Sequence, residues 1–62
     1  MNKEKFAIGD LVSLKWRPEE VGFIVEVHLG SKAQAVRTLY KIHWFQTEYN
    51  SWYNEINLIP KG

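Results

Sequence analysis

Arg37-Thr38-Leu39-Tyr40-Lys41-Ile42-His43-Trp44 is the stretch that decides the fold. Tyr40, Ile42 and Trp44 share one side of it, and Lys41 and His43 share the other. A period of two marks a half-buried β-strand, because successive side chains leave the pleated backbone on opposite sides. The stretch reads as a strand whose inward face carries two large aromatic rings.

Toward the N-terminus, a Gly9-Asp10 turn leads into Leu11–Trp16, where alternation puts Val12, Leu14 and Trp16 inward and Ser13 and Lys15 outward. Arg17-Pro18-Glu19-Glu20 is expected to end that strand as a loop, since Pro18 has no amide hydrogen and biases Arg17 toward extended backbone. Gly22 opens Phe23–His28, whose β-branched content favours a second strand. Phe23, Val25 and Val27 compete there with Ile24 for the inward face, and a bulge near Gly22 would let both ends contribute. Leu29–Ala35 has the composition of a long hairpin loop.

Toward the C-terminus, Gln46 to Asn50 turns the chain and Ser51-Trp52-Tyr53 forms a short fourth strand. Asn54-Glu55-Ile56 reads as one helical turn, followed by a last strand, Asn57-Leu58-Ile59, stopped by Pro60. The expectation is an all-β fold: a small five-stranded barrel over residues 6–60, with one short helical turn before the strand that closes it. Closure would remove the exposed edges of a small open sheet. Residues 1–5 are expected to be a flexible tail and residues 61–62 a loose end.

A chain of 62 residues without cysteine has neither a disulfide nor a thiolate metal site to stabilise it. Its stability must come from large apolar side chains, and the aromatic content of 15% supplies them. A net charge of +1 and a pI near 8.1 are below the strongly basic range of dedicated nucleic-acid binders. No apolar run has the length of a signal peptide or a membrane span, so a cytoplasmic protein without a membrane partner is expected.

Gly9-Asp10-x-Val12, Gly22-x-Ile24-x-x-Val27, Tyr40-x-Ile42-x-Trp44 and the late Leu58-Ile59 together resemble the SH3-like barrels of the Tudor, chromo-barrel and KOW type. The resemblance covers roughly residues 8–59. The chain's size is also similar to that of small barrel proteins from tailed bacteriophages and other mobile elements. The Tudor-like resemblance implies an aromatic cage for methylated Lys or Arg, matched here by Trp16, Phe23 and Phe45 or Tyr49, with Glu19, Glu20 or Glu48 as its acid. A second resemblance, to the plasmid-borne dihydrofolate reductase barrel, rests on the Gly-Asp-x-Val start and the Gly-x-Ile-Val strand. Where that family carries a Val-Gln-Ile-Tyr stretch for nicotinamide and folate, this chain reads Ser51-Trp52-Tyr53-Asn54-Glu55. No enzyme and no cofactor are therefore expected.

Six aromatic residues fall between Tyr40 and Tyr53. Tyr40 and Trp44 are in phase with Ile42 and belong to the core. Trp52 and Tyr53 are adjacent on a strand, so one of them must face outward, and Tyr49 lies in a polar loop. The expected ligand surface comprises Trp16, Arg17, Tyr49, Trp52 and Tyr53 on a monomeric, non-enzymatic binding module. Its expected partner is a protein or peptide, with nucleic acid as the alternative through Lys15, Arg17, Arg37 and Lys41. His28 and His43 are both read as outward and lack a third ligand at metal-site spacing. Ser13 and Ser51 lack an acid–base partner in their local sequence.

Overall fold

The computed structural model describes residues 5–31 and 33–61. The expected tail at residues 1–4 and the end at Gly62 lie outside these residues. Five strands follow one another: β1 (Leu11–Leu14), β2 (Arg17–His28), β3 (Leu39–Trp44), β4 (Asn50–Asn54) and β5 (Leu58–Pro60). A 3-10 turn, Glu55–Asn57, precedes β5. All pairings are antiparallel, and they form one open sheet in the order β4-β3-β2-β1-β5. The all-β expectation and the single helical turn hold.

The period-two reading of the third strand is met residue by residue. Tyr40, Ile42 and Trp44 are buried, joined by Phe6, Val12, Leu14, Ile24 and Leu58. Phe6 meets Tyr40 edge-on with ring centroids 5.5 Å apart. Its backbone N–H donates to the Tyr40 hydroxyl, which in turn donates to Glu55 Oε2 at 2.8 Å. Lys5 N–H reaches the same carboxylate oxygen at 3.2 Å. Lys5, placed in the tail by its sequence, is thus tied to the turn before β5. At the other end Pro60 belongs to β5 and Lys61 N–H donates to the Leu11 carbonyl, so pairing continues past the expected stop.

Three expectations for residues 13–20 are corrected. The chain reverses at Lys15-Trp16, with Leu14 opposite Arg17, so Trp16 is 61% exposed instead of joining Val12 and Leu14 inside. Arg17–Glu20 is not a loop but the start of β2. Pro18 is tolerated because the register jumps from Val12↔Gly22 to Leu14↔Arg17, leaving residues 18–21 without partners on β1. Ser13, expected outside, is fully buried: its Oγ donates to the Glu20 carbonyl at 2.7 Å, with the Pro18 carbonyl 3.3 Å away. A hydroxyl is small enough to enter the interior and finds backbone acceptors there at the bulge.

Two irregularities settle the second strand. Gly22 lies beneath Trp44, and a Cβ there would stand 2.7 Å from the His43 carbonyl oxygen and 2.8 Å from Trp44 Cε3. A second register shift between Ile24 and Glu26 puts Ile24 inward, Glu26 outward and Val27 inward again. Both ends of β2 therefore feed the core. The β2–β3 loop is longer than a tight hairpin and is pinned by a Ser31↔Val36 bridge.

Candidate functional site

A half-buried sheet has two faces, and the strand pairings assign the paired residues of this one to them. Opposite partners point the same way. Tyr40↔Tyr53 and Ile42↔Ser51 lie on the core face, while Leu39↔Asn54, Lys41↔Trp52 and His43↔Asn50 lie on the outer face. From β2 the outer face gains Phe23, Glu26 and His28, and from β1 it gains Leu11.

This outer face is rich in rings. Phe23 sits 5.4 Å from both His43 and Phe45, centroid to centroid. His43 Nδ1 lies 2.7 Å from Asn50 Oδ1, a hydrogen bond that ties the ring to β4. Farther along the strands, Trp52 meets His28 edge-on at 6.4 Å. His28, Leu39 and Trp52 line a shallow depression of about 280 Å³. Between the two ring clusters, Lys41 Nζ lies 3.7 Å from Glu26 Oε1. Among the described residues, the lysine that the pairings place on this face is therefore already paired with an acid.

No family model, curated protein or solved structure matches this chain.

The structure distributes the five sequence-predicted site residues over separate places. Trp52 is on the outer face and 44% exposed. Tyr53 points the other way and packs edge-on against Trp44 at 5.6 Å, alongside the core. Tyr49 is exposed in the β3–β4 loop, and its carbonyl accepts from Trp44 N–H. Trp16 occupies the β1–β2 turn, and Arg17 beside it donates to Glu20 Oε1 at 3.3 Å. Among the described residues no ring contact or hydrogen bond joins Trp16 or Arg17 to Tyr49, Trp52 or Tyr53.

The candidate cage residues also separate. Phe23 and Phe45 come together, but their planes are tilted by only 32° and the rings pack on each other, without Trp16. Glu20, one of the candidate acids, is nearly buried and held by Arg17.

Phe23 and Phe45, named only as cage walls by the Tudor-like resemblance, belong to the outer face together with His28, Leu39 and His43, which sequence reasoning missed as ligand residues. A signal for part of this was present: Leu39, Lys41 and His43 are the out-of-phase positions of the clearest strand. Their alignment beside Phe23 and Trp52 depends on register, which no local pattern supplies. His28 and His43 are outward as read, and among the described residues no group of three or more His, Asp or Glu side chains converges on a metal position. No helix among them is long and apolar enough to cross a membrane.

Proposed function

We propose that this protein is a non-enzymatic binding module that contacts a protein or peptide through the outer face of β2, β3 and β4. One observation carries the reading. Two ring clusters, Phe23–His43–Phe45 and His28–Trp52, lie on the same solvent-facing side of a sheet whose opposite side is already packed by the core. Large rings left in water on so small a protein mark contact surfaces, because covering them releases hydration that no fold contact has yet removed. Aromatic residues also dominate the energetics of protein interfaces.

Charge favours a peptide over nucleic acid. Among the described residues the outer face offers one lysine, paired with Glu26, and the chain's net charge is only +1. A phosphate backbone needs several unpaired cations beside the stacking rings.

The fold belongs to the same proposal: an SH3-like barrel of the Tudor and chromo-barrel kind. It is supported by the meander in which the last strand returns to pair with the first, by the bulges of β2, and by the 3-10 turn before β5.

The test is to select peptides from a random library on the wild-type protein and measure their affinity for Trp52→Ala and Phe45→Ala. Both variants should bind roughly tenfold or more weakly while melting near the wild-type temperature. Peptides that bind both variants unchanged would remove the outer face from the reading. Tight binding of a thymidine oligonucleotide, falling about 2–3 log units per decade of salt, would transfer it to nucleic acid.

A further inference from the structure

The two edges of the sheet differ sharply in what their backbones offer. On β5, hydrogen bonds from Lys15 N–H to the Asn57 carbonyl and from Lys61 N–H to the Leu11 carbonyl fix the alternation. Ser13↔Ile59 is then the bonded pair between them, and Leu58 and Pro60 direct their backbones away from β1. Pro60 has no N–H, and Leu58 N–H is taken by the Glu55 carbonyl at the end of the 3-10 turn. With Lys61 next in the chain, this edge has no donor to give an incoming strand.

The β4 edge has none of these protections. Trp44 N–H donates to the Tyr49 carbonyl and Glu55 N–H to the Thr38 carbonyl, so Ser51 and Tyr53 are the residues bonded to β3 between them. Asn50, Trp52 and Asn54 therefore direct N–H and C=O outward, and among the described residues no backbone group meets them. The strand reads Asn-Ser-Trp-Tyr-Asn, without a charge or a proline. An uncharged strand of this length with free donors is a template for another strand.

We propose that β4 pairs with β4 of a second copy of this chain, antiparallel, about a two-fold axis at Trp52. The strand's own order favours that occupant. With Trp52 opposite Trp52 of the second copy, all three outward residues fall into bonded pairs: Trp52 with its equivalent, and Asn50 with Asn54 in both directions. On the core side Ser51 stands opposite Tyr53, small against large. Glu55 falls opposite Tyr49, so no like charges meet. An isologous contact of this kind closes on itself and stops at two copies. It replaces the monomer expected from sequence and makes the two outer faces continuous, with the two Trp52 rings at the seam. The pairing concerns the backbone edge and stands whether or not the outer face binds a peptide.

Sedimentation and amide hydrogen exchange test it from low micromolar to about millimolar concentration, where pairing by a few residues is expected to fall. The wild-type protein should become dimeric across that range. Amides of Asn50, Trp52 and Asn54 should slow with concentration, while those of Ser51 and Tyr53, already bonded to β3, should not change. Trp52→Lys and Trp52→Glu should each raise the dimer dissociation constant roughly tenfold or more, since like charges then face each other. Mixing the two should restore a dimer containing one of each. A wild-type protein that stays monomeric overturns the proposal, as do outward amides that exchange at one rate at every concentration. A dimer untouched by either charge would place the interface elsewhere and overturn it equally. The exchange measurement uses only unaltered protein, so it decides the matter even where a variant folds poorly.

Discussion

Ser13 Oγ donates to the Glu20 carbonyl at 2.7 Å from a fully buried position. That single hydroxyl fastens β1 to the bulged start of β2, where residues 18–21 have no ladder partner on β1. Ser13→Ala removes this buried hydrogen bond, at a cost of about 1–3 kcal/mol. Urea unfolding should show the loss as a lower midpoint with an unchanged slope. A midpoint equal to wild type would mean that the bulge holds itself.

Gly22→Ala should be more damaging than its size suggests. The new Cβ would stand 2.7 Å from a backbone oxygen and from Ile42 Cγ2, both in the sheet. Relief requires β2 and β3 to separate under Trp44, and overpacking of this kind costs about 1–3 kcal/mol or more. The expected result is a melting temperature lowered by several degrees or more.

Trp44 and Trp52 make a matched pair on opposite faces, 3% and 44% exposed. Trp44→Ala removes a core ring and should cost about 3–5 kcal/mol, comparable to the whole stability of a domain this small. Trp52→Ala should stay within about 1 kcal/mol of wild type. Thermal melts of the two proteins side by side decide it, and equal losses would invert the assignment of faces.

Burial pushes the Tyr40 phenol above its ordinary value, and the hydrogen bond to Glu55 adds to that shift, against the opposing effect of the Phe6 N–H. Because the folded protein holds this proton more tightly than the unfolded chain, the associated stability is fully present below about pH 10. It is lost as pH rises through the folded value. Tyr40→Phe should therefore flatten the alkaline fall in stability relative to wild type, measured by urea melts at a series of pH values. It should also be less stable at neutral pH, having lost its bonds to Phe6 and Glu55.

The third strand was legible because its pattern is local. Tyr40, Ile42 and Trp44 recur with period two, and water enforces the same partition wherever that strand sits. Val12, Leu14 and the turn before the last strand were legible for similar reasons, as was the outward direction of both histidines. The separation of Trp52 from Tyr53 followed from adjacency alone, although which ring faces the core did not.

The remainder depended on pairing. Alternation carried Trp16 inward because it assumed the strand continues, whereas the chain reverses one residue earlier to bring Arg17 opposite Leu14. Ser13 looked like a solvent residue until the bulge of β2 placed two carbonyls over it. Register joined Phe23 to His43 and Trp52 to Lys41, and these cross-strand pairs create the outer face. The sequence by itself determined that Val12, Leu14, Tyr40, Ile42 and Trp44 must leave water. Only the tertiary structure decided which strands they meet, because shifting a strand by one residue keeps its composition and exchanges its two faces.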